Sequence, residues 1–355
     1  MWKFEEIFYL TLLVSLLLTA FSRPIAFQLG ILDHPKSYGI HSRAVPRLGG
    51  SAIYLSFVLG SLYRMDLSEQ LKGVLVGSSL IFITGLLDDL ILLKASFKLF
   101  VQIVALGMMM FRYGVILEIF HSAWLNGFFT ALGILGITNA VNFLDNMDGL
   151  ASGLVMISSL AIFVVAFVSH QFWLAYLSMA LVGATLGFLV LNLRKAYVFM
   201  GDAGSTFLGF TLASLAVMAD WSPVLPVTLA VPTLILGVPI LDMILITVLR
   251  VKEGKVRTLK EWIDYTGKDH LSHRLMRLGM GQRRAVFYLW IFQLALCLIA
   301  LSILPHGPLA GVLGLGIFSV VTFGILFFFR KRRELLILTN ERKPRSRVKA
   351  LSHKE

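Results

Sequence analysis

Residues 172–191 read FWLAYLSMALVGATLGFLVL, a continuous apolar run with no charged side chain. A run of about 20 such residues is long enough to cross the hydrocarbon core of a bilayer as one helix. Runs of the same kind recur along the whole chain and predict eleven membrane-spanning helices. The predicted spans lie near residues 5–21, 48–63, 73–91, 97–114, 124–141, 152–169, 172–191, 203–219, 224–249, 285–303 and 309–329.

The composition favours an all-α, polytopic membrane protein. Apolar residues make up 57% of the chain, charged residues make up 15%, and the mean hydropathy is +0.82, values that do not fit a soluble surface. A membrane β-barrel would need alternating apolar and polar residues, and these runs do not alternate. We expect one membrane domain over residues 1–329 and a basic tail over residues 330–355. Because Ser22-Arg23-Pro24 follows the first span, an uncleaved helix is favoured over a signal peptide.

The positive charges predict the orientation. Lys3, Arg64, Lys72 and Arg112 lie on one predicted face, and all the other lysines and arginines, from a total of 32, lie on the opposite one. The face richer in Lys and Arg is the cytoplasmic face of a membrane protein. We therefore expect the N-terminus outside and the C-terminus inside, in the inner or plasma membrane.

The net charge of +12 has an ordinary explanation in this topology. The basic tail is expected to contact anionic headgroups. Because it lacks interleaved aromatic residues, nucleic acid is not an expected partner. The one cysteine, Cys297, falls inside a predicted span, which excludes an intramolecular disulfide and a thiolate metal site.

Clustered aspartates occupy the loops of the predicted cytoplasmic face. Carboxylates at membrane helix ends are costly to desolvate and mark ion, proton or substrate sites. Asp88 and Asp89 end the third span, where they repel each other unless a cation or a proton is shared. An interfacial helix end would explain one aspartate better than a pair. We expect one carboxylate to meet a metal-bound phosphate and the other to be held by Lys94 or Lys98.

A polar residue recurs every three positions in Asn139-Ala-Val-Asn142-Phe-Leu-Asp145-Asn-Met-Asp148-Gly149. On a continuous helix these four side chains form one stripe of amide and carboxylate oxygens. Such a stripe suits a hard cation, or recognition of ribose and base. A hydrated helix end is the alternative, and it explains one or two of the groups but not four in register.

A carboxylate also stands where the eighth span begins, in Gly201-Asp202-Ala203-Gly204-Ser205. At a helix N-terminus, Asp202 could bind magnesium while the free backbone amides face a phosphate. Taken alone, the motif fits a simple N-cap equally well.

Basic residues and histidines fill two further loops. His270, His273, Arg274 and Arg277 share a helical face, and this set suits phosphate better than zinc. A basic amphipathic helix on headgroups competes as an explanation of the arginines more than of the histidines. The first loop, residues 33–50, offers further cations, which the positive-inside rule alone could explain.

Together these motifs resemble the polyprenyl-phosphate N-acetylhexosamine-1-phosphate transferases of glycosyltransferase family 4. The resemblance covers nearly the whole chain, and each motif is weak alone, but five in the family's order on one face are specific. The family joins a sugar-1-phosphate from a UDP-sugar to a lipid phosphate and releases UMP. The motifs are Asp33-x-Pro35 with His41, Pro46-Arg47-x-Gly49-Gly50, Asp88-Asp89, Asn139-x-x-Asn142-Phe-x-Asp145-x-x-Asp148-Gly149-Leu150, Phe199-x-Gly201-Asp202-x-Gly204-Ser205 and His270-x-x-His273-Arg274.

The resemblance implies a role for each matching residue. Asp202 matches the magnesium-binding aspartate, with Mn²⁺ as an alternative metal, and Asp88 matches the residue that activates the lipid phosphate. Asn192 matches an asparagine placed near the uracil. The expected catalytic residues are Asp88, Asp89, Asp145, Asp148, His270 and His273, the expected substrate-binding residues are Lys36, His41, Arg47, Asn139, Asn192 and Arg274, and the expected metal ligands are Asp202 and Asn142.

The chain departs from the family pattern at two positions. Asn146 stands where the family often has Gly, and Ser272 stands where a third histidine is common. Members that transfer phospho-MurNAc-pentapeptide in peptidoglycan synthesis resemble one another in three consecutive histidines, and that run is absent here. The resemblance therefore favours the branch that uses UDP-GlcNAc to begin O-antigen, common-antigen or teichoic-acid synthesis. Phospho-MurNAc-pentapeptide, UDP-GalNAc and modified amino sugars stay alternatives.

The partners expected from the resemblance are a UDP-N-acetylhexosamine, a polyprenyl phosphate and membrane lipid, with a homodimer as one option. Two other classes compete. A cation- or proton-coupled transporter would place its carboxylates near the midplane and show a repeat between halves. A CDP-alcohol phosphotransferase would need a compact aspartate cluster on two adjacent helices. The acids here spread from Asp88 to Asp202, and the sequence shows no repeat.

Overall fold

The computed structural model describes residues 3–33, 44–63, 68–193, 197–265 and 267–341. Within these ranges the chain is almost entirely helical, which confirms the all-α prediction. The helices are α1 (Phe4–Leu29), α2 (Gly49–Tyr63), α3 (Glu69–Ile91), α4 (Ala95–Tyr113), α5 (Ala123–Leu144), α6 (Leu150–Val168), α7 (Phe172–Asn192), α8 (Gly201–Met218), α9 (Leu225–Ile235), α10 (Gly237–Lys252), α11 (Leu259–Asp264), α12 (Leu271–Arg277), α13 (Gln282–Ile303) and α14 (Pro308–Glu341), and the two strands are β1 (Leu32–Asp33) and β2 (Val45–Pro46).

Each predicted span coincides with one helix, except that the ninth is broken. Among the described residues, eight helices are long and apolar enough to cross a membrane, or nine if α9 and α10, which meet at 80°, form one bent span. The remaining predicted spans correspond to α2, which is short, and α8, which is rich in small residues. The chain is thus a multi-pass membrane protein, and the total of eleven crossings and their orientation stay predictions.

Helix α8 lies at the centre of the bundle. Every residue from Ala203 to Ala216 is buried, and the helix packs against α2, α3, α5 and α6. A helix surrounded by protein can carry Gly, Ser and Thr on all sides, whereas a lipid-facing helix needs an apolar outer surface. Helix α4 shows the second pattern, since Phe111 is 88% exposed.

A buried glutamine supports the break between α9 and α10. At the break, the Gln293 side chain of α13 accepts a hydrogen bond from the Val238 backbone N–H at 3.0 Å and donates to the Ile235 carbonyl at 2.7 Å. Ser158 of α6 donates to the same carbonyl at 2.7 Å. Backbone groups freed by a broken membrane helix must find partners inside the protein, and these two side chains supply them.

The two termini of the bundle extend past their predicted ends. Helix α1 continues through Pro24 to Leu29, where Gly30 at φ 71° ends it. The antiparallel pair of β1 and β2 then returns the chain to α2. Helix α14 continues to Glu341, so the first part of the predicted tail is helical.

Candidate active site

Two aspartates from distant loops meet on one lysine. The Lys98 ammonium, in the first turn of α4, donates to Asp88 Oδ2 at 2.8 Å and to Asp202 Oδ2 at 2.6 Å. The second oxygen of Asp88 accepts the Leu93 backbone N–H at 2.6 Å. The prediction that Lys94 or Lys98 holds one member of the Asp88-Asp89 pair is therefore confirmed for Lys98.

The other member of the pair anchors a helix. Asp89 Oδ1 accepts the backbone N–H of Asp202 at 3.0 Å, and its Oδ2 accepts that of Ala203 at 3.0 Å. The expectation that these α8 amides would face a phosphate was wrong, because the Asp89 carboxylate already fills the anion position at the helix N-terminus. Gly201 makes room for it, since a Cβ there would lie 2.3 Å from Asp89 Oδ2.

The start of α8 is also bound to the start of α2. The backbone N–H groups of Gly49 and Gly50 donate to the carbonyls of Phe199 and Met200, each at 3.0 Å. The first turn of α2 has no internal partners for these donors. The Arg47 loop and the Asp202 loop are thereby held side by side.

The predicted polar stripe breaks at Asp145. Helix α5 ends at Leu144, Asp145 is its C-cap, and the following turn continues to Gly149, whose φ is 77°. Asn139 and Asn142 lie on the helix, whereas Asp145 and Asp148 lie in the turn, so the four do not form one helical row. The expectation of one stripe on a helical turn was wrong because the chain leaves the helical conformation at Asp145, before the last two members of the set.

The two asparagines of α5 face different partners. Asn142 donates to the Ser205 hydroxyl of α8 at 2.8 Å, and it lies beside the Asp202 carboxylate. Asn139 pairs with the Gln102 amide of α4 at 2.8 Å. The structure thus brings Asn142 to the predicted metal ligand Asp202, while Asn139 links two helices.

Asn192 is engaged with backbone rather than facing open space. Its Oδ1 accepts the Gly149 backbone N–H at 2.6 Å, and its Nδ2 donates to the Val198 carbonyl at 2.8 Å. The side chain is buried. Asn192 therefore holds the turn that carries Asp148 next to the loop that leads to α8.

Excess negative charge surrounds Asp145. The side chain is partly buried, and the carboxylates of Asp202, Asp89 and Asp148 lie around it. Desolvation, followed by repulsion from these carboxylates, raises the pKa of Asp145 to about 8. Additional positive charge in the site would favour ionisation of this carboxyl group.

Arg47 supplies one such positive charge from the first loop. Its guanidinium lies 2.8 Å from Asp33 Oδ1 and 4.0 Å from Asp89 Oδ1. The structure therefore places the predicted residue Arg47 beside the aspartates. Lys36 and His41, the other predicted residues of this loop, lie outside the described residues.

The histidine loop is oriented by an aspartate that the sequence motifs missed. Asp242 of α10 contacts His270 Nδ1 at 2.7 Å through one oxygen and accepts the Leu271 backbone N–H at 2.6 Å through the other. The His270 ring also packs against Phe143, with ring centroids 5.6 Å apart. Asp242 is a carboxylate inside an apolar span, and that was the signal that could have identified it.

A buried ion pair holds the residue before His270. Arg250 donates to both oxygens of Asp269, at 2.9 and 2.7 Å, and its guanidinium lies over the Tyr265 ring. Arg274 donates to the Asp269 carbonyl at 2.7 Å and packs its guanidinium against Phe329. Arg274, which was predicted to bind phosphate, is thus engaged in contacts that stabilise the histidine loop.

His273 remains accessible on α12. It is half-buried, and burial lowers the pKa of its imidazole, with further lowering by the charges of His270 and Lys268. The ring is therefore held towards its neutral form until an anion approaches.

The oxygen donors fit a hard divalent cation such as Mg²⁺. The ammonium of Lys98 already stands between Asp88 and Asp202, and the raised pKa of Asp145 reports a surplus of negative charge. Within the described ranges, no three His, Cys, Asp or Glu side chains converge as a metal cage. Magnesium is commonly held by one or two carboxylates plus substrate phosphates, and Asp202 with Asn142 beside it fits that mode.

The chain is similar in sequence to known proteins. The family model described as "Glycosyl transferase family 4" matches residues 71–220. A Bacillus subtilis protein named "Probable undecaprenyl-phosphate N-acetylglucosaminyl 1-phosphate transferase" is 32% identical, over 94% of this chain and 92% of that one. The decaprenyl-phosphate N-acetylglucosaminephosphotransferase of Mycolicibacterium smegmatis is 29% identical, over 90% and 87%.

A third relative is similar over about three quarters of its length. The undecaprenyl-phosphate alpha-N-acetylglucosaminyl 1-phosphate transferase of Escherichia coli K12 is 29% identical, over 77% of this chain and 76% of that one. The matched family segment contains the aspartates of α3, the turn after α5 and the start of α8. The chain belongs to glycosyl transferase family 4.

Proposed function

We propose that this protein transfers N-acetylglucosamine-1-phosphate from UDP-GlcNAc to a polyprenyl phosphate and releases UMP, the first membrane step of a cell-envelope polysaccharide. The relatives' names supply the sugar and the lipid phosphate. The observation that carries the proposal is the meeting of acidic loops from α3, α5 and α8 with the histidine loop at one end of the bundle. Acidic residues that can hold a cation, together with basic residues, suit two anionic substrates that must approach each other.

The reaction forms one bond and breaks one. An oxygen of the lipid phosphate attacks the β-phosphorus of the UDP-sugar, the bond from that phosphorus to the bridging oxygen breaks, and UMP leaves with the bridging oxygen. The protein's task is to align the attack and offset repulsion between anions. Lys98, Arg47 and His273 provide positive charge or hydrogen bonds for it, and Mg²⁺ held at Asp202 and Asn142 would neutralise the diphosphate.

We favour direct attack over a covalent intermediate on Asp88. Both Asp88 oxygens already have donors, Leu93 N–H and the Lys98 ammonium, which makes the carboxylate a weaker nucleophile. A lipid phosphate is itself a competent nucleophile, so it needs little activation. Asp88 would then hold Lys98 in place and accept any proton that the lipid phosphate carries.

We infer that the site faces the cytoplasm. All four loops that meet there lie on the face to which the distribution of Lys and Arg assigns the cytoplasm. A nucleotide sugar made in the cytoplasm would reach it without crossing the membrane. The position at helix ends also supports a transferase over a transporter, whose carboxylates are expected near the bilayer midplane.

The test is magnesium-dependent release of UMP from radiolabelled UDP-GlcNAc with undecaprenyl phosphate. Purified wild type is compared with Asp202→Ala and with Asp220→Asn, which changes an exposed aspartate past the other end of α8. We expect turnover by wild type and Asp220→Asn, and loss of at least about 100-fold in Asp202→Ala. EDTA should abolish turnover.

Other results would change the conclusion in defined ways. Turnover only with another UDP-amino sugar, or with UDP-MurNAc-pentapeptide, would replace the sugar and keep the reaction. Folded protein that turns over no sugar nucleotide would contradict the proposal and favour a cation- or proton-coupled transporter.

A further inference from the structure

A side-chain hydrogen bond joins Ser272 of α12 to Asn146, in the turn after α5. The Ser272 hydroxyl donates to Asn146 Oδ1 at 2.8 Å, and Asn146 Nδ2 donates to the Phe143 carbonyl at 2.7 Å. Asn146 lies in the turn between Asp145 and Asp148. The bond therefore joins the acidic turn directly to the helix that carries the histidines.

Ser272 is completely buried, whereas Asn146 is half-buried. A glycine at position 146 could make neither side-chain bond, and an imidazole at 272 would need more volume than a serine hydroxyl occupies. A buried hydroxyl that loses its acceptor destabilises its surroundings more than the same loss at a surface. Asn146 therefore supplies the acceptor that the buried Ser272 hydroxyl needs.

The N-terminal half of α12 is held from two sides. Asp242 of α10 holds His270 and the Leu271 N–H on one side, and Asn146 holds Ser272 on the other. Residues 270 and 272 are thus each fixed to a different neighbour, and His273 follows directly. Two attachments to different elements restrict the movement of this short helix.

We propose that Asn146 and Ser272 form a coupled positioning pair that sets the distance between the acidic turn and His273, and thereby preorganises the binding of the sugar nucleotide. The inference rests on the proposed function, since it names residues that position that site. The pair acts through the residues it orients. Preorganisation lowers the ordering cost that a ligand must otherwise meet on binding.

A double-mutant cycle tests the coupling. Ser272→Ala and Asn146→Ala should each raise the KM for UDP-GlcNAc by about fivefold with kcat changed less than about twofold, since a typical hydrogen bond contributes roughly 1 kcal/mol. Because both changes break the Ser272–Asn146 bond, and Asn146→Ala also loses the bond to the Phe143 carbonyl, the double variant should match Asn146→Ala rather than show about 25-fold. Ser272→Thr, which keeps the hydroxyl, should rescue KM. Thr322→Ala, a buried hydroxyl bonded only within α14, should leave KM unchanged.

A reciprocal change in side-chain size provides a second cycle. Ser272→His and Asn146→Gly should each impair KM, and the double variant should recover much of the loss because glycine makes room for the imidazole. Multiplicative effects in the alanine cycle, or Ser272→Thr behaving like Ser272→Ala, would overturn the inference.

A readout without substrate separates this inference from the proposed function. Hydrogen exchange of the backbone amides of residues 271–277 should rise in Ser272→Ala and in Asn146→Ala, and equally in the double variant. If the wild type turns over UDP-GlcNAc but the exchange of these amides is the same in the variants as in the wild type, only the positioning pair is refuted. Wild type without turnover but with coupled exchange would refute only the proposed function.

Discussion

Asp89 Oδ1 accepts the backbone N–H of Asp202 at 3.0 Å. Asp89 therefore holds the start of α8, the helix that carries the Asp202 carboxylate. Asp88, the second aspartate of the pair, shares the Lys98 ammonium with Asp202. Adjacent residues of one helix point about 100° apart. The two residues therefore have different roles in the fold: Asp89 anchors α8, and Asp88 binds the lysine that also contacts Asp202.

Replacing Asp89 should destabilise the protein as well as the site. Asp89→Ala leaves the α8 amides of Asp202 and Ala203 without an acceptor, and the carboxylate is 1% exposed, so we expect a loss of about 1–3 kcal/mol in the free energy of unfolding. Thermal unfolding in detergent measures it. Asp89→Asn keeps one acceptor oxygen and should fall between wild type and Asp89→Ala; equal stability of all three would contradict the anchoring role.

Lys98→Met should reduce turnover by about 100-fold or more. It removes the positive charge between Asp88 and Asp202, and preorganised charge of this kind contributes on the order of 3 kcal/mol to catalysis. Initial rates of UMP release at saturating Mg²⁺ check this. Lys94→Met is the matched control, because Lys94 is the N-cap of the same helix and its side chain is exposed; it should stay within about twofold of wild type. A similar loss in both variants would point to general surface charge instead.

Asp145 should make the metal-free protein less stable as the pH rises. Its pKa is about 8 in the folded chain and near 4 when unfolded, so between these values the folded state binds more protons. Its contribution to stability is full below about pH 4 and is lost as the pH rises through about 8. The midpoint temperature of thermal unfolding, measured in EDTA, should decrease as the pH is raised from 6 to 8.5.

Asp145→Asn should flatten this pH dependence, because the amide does not titrate. Asp220→Asn changes an exposed carboxylate and should keep the wild-type slope. An unchanged slope in Asp145→Asn would mean that other groups cause it.

Gln293→Leu should destabilise the break between α9 and α10. The glutamine is fully buried and serves both Val238 N–H and the Ile235 carbonyl, which a leucine would leave with fewer partners in an apolar interior. We expect a loss of about 1–3 kcal/mol in thermal unfolding. Cys297→Ala, one turn further along α13, should cost less, since the Gln293 contact to its sulfur is the weaker one. A larger effect at Cys297 would contradict this assignment.

Much of the bundle could be predicted because a membrane helix is recognisable from a local run of apolar residues. A run such as residues 172–191 must hydrogen-bond its backbone internally in lipid, and it became α7 within a residue or so. The break in the ninth span was not predicted, although Pro232, Gly237 and Pro239 lie around it and proline interrupts helices. What no local pattern shows is that Gln293, far along the chain, satisfies the backbone groups at the break. The polar stripe ends where α5 ends, at Leu144 with Asp145 as its C-cap, and the three-residue repeat continues past that point without marking it.

The sequence by itself determined the class of protein, the helical segments and the residue types that meet at the site, because apolar length and clustered carboxylates are local and costly in a membrane. Only the tertiary structure decided which carboxylate does what. Asp89 and Asp202 are chemically alike and both stand at helix ends, yet one is enclosed by backbone amides and the other meets a lysine. That difference arises from how α3 and α8 pack, and packing joins residues that no local pattern connects.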